Sequence, residues 1–191
     1  MKNLEIIGFK RANLGKAASK QMRREAVVPC VLYGGKSEQV FFSVPMIMFK
    51  NLVYTDKVHQ VSLNIEGKIF QAVLQDIQFH PVNEIILHAD FLLLDDNTPV
   101  KMEIPVKIVG ASIGVQKGGK LLVKVKRLKV SALPKDMPDS IEVNISSLDI
   151  GKSVKVGDLQ SQKYTITNSP LVTIASIVTT RALKTNAPAG K

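Results

Sequence analysis

The sequence predicts a mainly β protein in two parts, with a few short helices. Short runs of β-branched and aromatic residues recur along the whole chain, separated by Gly and Pro. Trp is absent and aromatic residues make up only 5% of the chain, so its cores must be built mainly from Val, Ile and Leu. Residues 95–99, DDNTP, gather turn formers between two β-patterned halves and mark the expected domain boundary.

Residues 3–11, NLEIIGFKR, are strand-like. In 15–25, GKAASKQMRRE, the residues Ala, Lys, Gln, Met and Arg favour a helix. VVPCVLYGG and QVFFSV return to strand composition, with Gly34-Gly35 as a turn signal between them. PMIMFKNLVYTD begins with a Pro suited to a first helical turn and spaces its apolar residues as a helix does. HQVSLNIEGKIFQAVLQDIQFHP reads as a hairpin turning at Glu66-Gly67, because Gly supplies the positive φ of a tight turn. HPVNEIILHADFLLLD (80–95) is a further strand. Beyond the boundary, VKMEIPVKIVG, KLLVKVKRLKVSALP, SIEVNIS, KSVKV and LVTIASIVTT follow at regular intervals, as in a small β-sandwich or barrel-like domain. The expected layout is a domain over 1–95, a second over 96–178 and a basic tail over 179–191 that lacks an apolar pattern.

The net charge is +10, with a pI near 9.7, which points to a polyanionic partner. Residues 10–24 hold six cations (Lys10, Arg11, Lys16, Lys20, Arg23, Arg24) and no acid. On a helix, Lys16, Lys20, Arg23 and Arg24 form one basic stripe that can follow a phosphate backbone. A second concentration, KGGKLLVKVKRLK (117–129), alternates Lys with Val as an ordinary exposed strand face would. By halves, 1–95 carries 11 basic and 9 acidic residues and 96–191 carries 15 and 7, so gross charge favours the second half while local density favours the first. The single Cys30 forbids an internal disulfide and reads as a small core residue. No apolar run suits a signal peptide or approaches the ~20 residues of a membrane helix, so the expectation is a cytoplasmic protein with no membrane partner.

Strand 80–95 interrupts its Ile, Leu and Phe with His88 and Asp90, two places apart and so on one face. Such a pair fits a structural hydrogen bond, a catalytic or metal site, or a surface that reads a polar partner. The enzyme readings are weak. His59, His80 and His88 lack zinc-site spacing, Cys30 has no CxxC partner, and GVQKGG (114–119) marks no nucleotide site. No nucleophile or metal set accompanies His88 and Asp90, so no cofactor, metal or small-molecule substrate is expected.

Several stretches taken together resemble one family. GKAASKQMRREAVVPCVLYGG is similar to its N-terminal signature and LQDIQFHPVNEIILHADFLLLD to its second. IPVKIVG, GVQKGGKLL and VSALPKDMPDSIEVNISSLDIGKSVKVGDL are similar to the appended β-domain of its longer members. The family is that of bacterial large-subunit ribosomal protein twenty-five, of the general-stress-protein (Ctc) type, and the resemblance covers about 1–178. It implies a closed N-terminal β-barrel that binds 5S rRNA in the minor groove of its loop E region, plus a C-terminal β-sandwich-like domain. It also implies a structural role in the central protuberance, as a monomer in contact with other rRNA and ribosomal proteins. Carried onto this chain, Arg11, Lys16, Ser19, Lys20 and Arg23 would hold phosphates and sugars, while Tyr33, Gln75, His88 and Asp90 would face bases. Lys10 and Gln78 complete the expected RNA-binding set. Gln21 and Phe79 stand where related sequences often carry cations. The alternatives are a stress-induced, ribosome-associated RNA-binding factor and, from another class, an RNA-processing enzyme using His88 and Asp90.

Overall fold

The computed structural model describes residues 2–35, 39–55, 57–159 and 163–179. The expected basic tail lies outside them apart from Thr179. The described residues fall into two compact units that divide between Val100 and Lys101, just after the DDNTP turn, in which Asp95 Oδ1 accepts from the Asn97 backbone N–H at 3.3 Å.

The first unit is a closed six-stranded barrel. Its strands are β1 (Lys2–Lys10), β2 (Val27–Tyr33), β3 (Val40–Pro45), β4 (His59–Ile65), β5 (Lys68–Phe79) and β6 (Ile86–Leu93). Around the barrel the order is β1-β3-β2-β6-β5-β4, with parallel pairing of β1 to β4 and of β2 to β6. Period-two alternation sends Ile6, Cys30, Phe42, Leu63 and Phe91 inward, all fully buried. Phe42 and Phe49 tilt against Phe91, with ring centroids 5.7 and 6.3 Å away. A Cβ on Gly8 would stand 2.7 Å from the Phe42 ring, so glycine in β1 makes room for the largest core side chain. Pro29 pairs with Ser43 of β3, and pairing to β6 begins only at Cys30, so its missing N–H leaves no gap on that side.

The hairpin between β4 and β5 turns at Glu66-Gly67 as expected, with φ of 50° and 86°. Helix α1 (Lys16–Arg24) agrees with the sequence reading, and Arg23 and Arg24 in its last turn complement the helix dipole. The helix expected over 45–56 is corrected. Pro45 ends β3, Met46–Phe49 form a 3-10 turn, and α2 (Lys50–Val53) is a single turn. Two turns sustain few i→i+4 bonds, and what holds the segment is the burial of Phe49 and Leu52 in the barrel core.

The second unit comprises β7 (Val100–Val109), α3 (Ile113–Gln116), β8 (Lys120–Val123), β9 (Arg127–Ala132), β10 (Ile141–Asn144), β11 (Ser153–Lys155), β12 (Thr165–Ile166) and β13 (Thr173–Val178). They form a four-stranded sheet, β10-β7-β9-β12, and a three-stranded sheet, β11-β13-β8. Residues 120–134, expected as one strand, are two. The Lys124 N–H donates to Ile174 O in one sheet and Lys126 O accepts from Val106 N in the other, so the chain changes sheets across a bend at 124–126. Lys124 and Lys126 therefore do not share a strand face. Two glycines of GVQKGG serve packing and one a turn: a Cβ on Gly114 would lie 2.7 Å from Ile150 N, one on Gly119 2.6 Å from Ile177 Cγ2, and Gly118 has a φ of 90°. Among the described residues no helix is long and apolar enough to cross a membrane.

Candidate nucleic-acid interface

Two bulges build the polar face of the barrel. Along the β5–β6 ladder Leu74 pairs with Phe91 and Asp76 with Asp90, so Gln75 is an extra residue. Gln78 pairs with His88 and Phe79 with Ile86, so Leu87 is extra on the other strand. An inserted residue flips the alternation that follows it. Before the first bulge Ala72 and Leu74 pack against the core; after it Ile77 does, and Asp76 and Gln78 are exposed. The second bulge lets Ile86 be buried while His88, two residues on, faces out. The interruption of the apolar strand by His88 and Asp90 is thus an outward-facing pair.

His88 Nδ1 lies 2.7 Å from Asp90 Oδ1, and the two side chains are 28% and 31% exposed. With the carboxylate accepting from Nδ1–H, Nε2 is left outside the pair. Asp76 stands directly opposite Asp90, and its Oδ1 accepts from the Ile77 N–H at 2.9 Å. Like charges opposite one another on a sheet repel, and each carboxylate is met by one donor of the chain itself, Ile77 N–H for Asp76 and His88 Nδ1 for Asp90. Tyr33 ends β2 on the same outer face, in register with Leu92. Burial, then the nearby charges of Asp90 and Asp76, raises its phenol above the ordinary value of 10.0, so it stays an O–H donor. Gln75 and Gln78 are exposed. The patch is rich in acceptors.

Residues on β1, β3 and β2 extend it. The Arg11 N–H donates to Phe41 O, Phe41 pairs with Val31, and Val31 pairs with Asp90, so Arg11, Phe41, Val31, Asp90 and Asp76 form one row around the barrel. Phe9, 58% exposed, pairs with Ser43 in the neighbouring row, and Phe41 is 37% exposed. The sequence reading missed Asp76, Phe9 and Phe41 as candidates. A signal for Asp76 exists in the spacing: inward Leu74 and Ile77 are three apart, which an unbroken strand does not allow.

Helix α1 lies against β2 and turns Ala18, Ser19, Met22 and Arg23 toward the barrel as its half-buried face. Lys16, Lys20 and Arg24 line the exposed face at i, i+4 and i+8. The single basic stripe is corrected on this point: Arg23 leaves it, because its Nε–H donates to Leu87 O at 2.9 Å. Arg11 Nη2 donates to Ser19 Oγ at 2.9 Å and to Asn13 O at 3.3 Å, while its Nε is buried without a partner. Lys10, at the end of β1, is exposed.

Other groups stand apart from this face. Cys30 points into the core, where burial pushes its thiol far above the ordinary range, so it cannot act as a nucleophile beside outward His88. His80 Nδ1 accepts from the Val82 and Asn83 N–H groups, each at 3.3 Å, and so organises a turn. Among the described residues no group of three or more His, Cys, Asp or Glu is arranged to hold a metal ion.

Residues 6–91 match the family model described as the ribosomal L25p family, and residues 99–181 match that of the ribosomal protein TL5 C-terminal domain. The chain is 54% identical over 184 residues to the large ribosomal subunit protein bL25 of Cytophaga hutchinsonii, covering 96% of this chain and 95% of the relative. It is equally similar, 54% over 187 residues, to the bL25 protein of Amoebophilus asiaticus, covering 98% and 95%. Similarity to the bL25 protein of Phocaeicola vulgatus is 42% over 198 residues, with both chains covered in full.

Proposed function

The chain belongs to the ribosomal L25p family, in the form that carries a TL5-type C-terminal domain, and from that premise we propose that it is a structural protein of the large ribosomal subunit that binds 5S rRNA through the outer face of its barrel. This is a family of ribosomal proteins and not of enzymes. The observation that carries the RNA reading is the acceptor-rich patch of Asp76, Gln78, His88 and Asp90 on a barrel to which α1, with its exposed cations Lys16, Lys20 and Arg24, is tied through Arg23 and Leu87.

The chemistry favours a minor groove. In A-form RNA that groove is wide and shallow and lined with 2′-hydroxyls, while the major groove is too deep and narrow for side chains to read. Guanine offers its amino group as a minor-groove donor, and the 2′-hydroxyls donate as well. Acceptors such as His88 Nε2 and the two carboxylates suit those donors. The carboxylates repel phosphate, so the affinity comes from flanking cations: Lys10, Lys16, Lys20 and Arg24 meet the backbone and the patch reads base edges. Tyr33, Phe9 and Phe41 add aromatic faces for riboses or unstacked bases. The second unit extends the contact with the subunit.

Chemical footprinting of isolated 5S rRNA with the full chain tests this. Protection of one contiguous minor-groove stretch, the loop E region, is the expected result. Diffuse protection along the whole RNA would reduce the interaction to charge alone.

A further inference from the structure

Helix α1 buries none of its side chains completely, and polar ties join the half-buried Ala18 and Met22 in setting its pose. Arg11 makes one tie, to Ser19 within the helix at 2.9 Å. Arg23 makes the other, from its Nε–H to the carbonyl of Leu87 at 2.9 Å, 64 residues away in sequence. Leu87 is the bulged residue of β6, adjacent to His88. A bulged residue is left out of the regular ladder, so its backbone groups need partners from elsewhere.

From this geometry we infer that Arg23 is a positioning residue of the interface. Its hydrogen bond to bulged Leu87 holds the register that turns His88 and Asp90 outward, and it fixes the cationic face of α1 beside them. The inference rests on the RNA reading above and assigns Arg23 a task other than holding phosphate. The bond spans the two parts of the interface, one that attracts a polyanion and one that reads it. Losing it would leave both present and mispositioned.

Glutamine separates the two roles. Its Nε2 stands the same number of bonds from the backbone as the arginine Nε, so Arg23→Gln keeps an N–H donor there and removes the charge. The full chain, Arg23→Ala and Arg23→Gln are titrated with 5S rRNA and with a scrambled RNA of equal length across a salt series. Arg23→Ala should lose about tenfold in affinity for 5S rRNA, the scale of one hydrogen bond from a charged donor. Arg23→Gln should stay within about threefold of the parent chain, and both should keep the parent salt slope. If Arg23→Gln fell as far as Arg23→Ala, with a slope lower by about one, Arg23 would be a phosphate ligand and the inference would be overturned.

A second readout needs no RNA. In the free protein, the NMR signals of the Leu87 and His88 amides and the His88 ring should move in Arg23→Ala and stay near parent positions in Arg23→Gln. Unmoved signals in Arg23→Ala would also overturn the positioning role. A parent chain that bound both RNAs alike would sink the 5S reading itself, a result distinct from either of these.

Discussion

His88 shows how a single residue takes its role from its neighbours. Its Nδ1 is committed to Asp90 at 2.7 Å, and its strand face comes from the bulge at Leu87. The ring is therefore tied through Nδ1 on the outer face and partly exposed to solvent. In the core, a buried His–Asp pair would be a structural hydrogen bond; at about 30% exposure it remains open to a partner. His88→Ala should cost roughly 1–3 kcal/mol in binding to 5S rRNA, on the scale of one base contact. Binding to a scrambled RNA should barely change, because charge attraction does not pass through this ring. Equal losses on both RNAs, read by filter binding, would remove His88 from base readout.

Among the elements, the proposed function assigns attraction to α1 and reading to the β5–β6 ladder. The exposed face of α1 carries Lys16, Lys20 and Arg24 with no acid within the helix. Replacing all three by Ala should weaken binding to every RNA and flatten the salt dependence by roughly two to three phosphate equivalents. An unchanged slope would show them to be an ordinary solvated face. Much of this element-level order was legible beforehand. The strand runs, the Glu66-Gly67 turn and the helix over 16–24 follow from alternation, positive-φ glycine and helix-forming composition, which are local properties. What escaped the reading depends on partners distant in sequence. The exit of Arg23 from the stripe needs Leu87, and the break at 124–126 needs two sheets that share one continuous Lys-Val pattern. The bulge at Gln75 was written in the three-residue gap between Leu74 and Ile77, but its effect on Asp76 appears only once β6 lies alongside.

At the scale of the whole molecule, charge and shape point to different halves. Residues 96–191 hold the larger cation excess, 15 basic against 7 acidic residues, yet the shaped polar face belongs to the barrel unit. Net charge gives non-specific, salt-sensitive attraction, whereas base-edge contacts confer selectivity. The second unit spends its glycines on close packing at Gly114 and Gly119 and pairs Lys117 with Asp149 at 3.0 Å. The barrel closes on itself without any strand from beyond Leu93, so a fragment of residues 1–98 should fold alone. The most direct test of the account is a gel-shift titration of fragments 1–98 and 99–191 against 5S rRNA and a scrambled RNA of equal length, at moderate salt. Fragment 1–98 should bind 5S rRNA within about tenfold of the full chain, a difference of ~1.4 kcal/mol, and 99–191 should bind both RNAs weakly and alike. Selective binding of 5S rRNA by 99–191, with none by a folded 1–98, would contradict it.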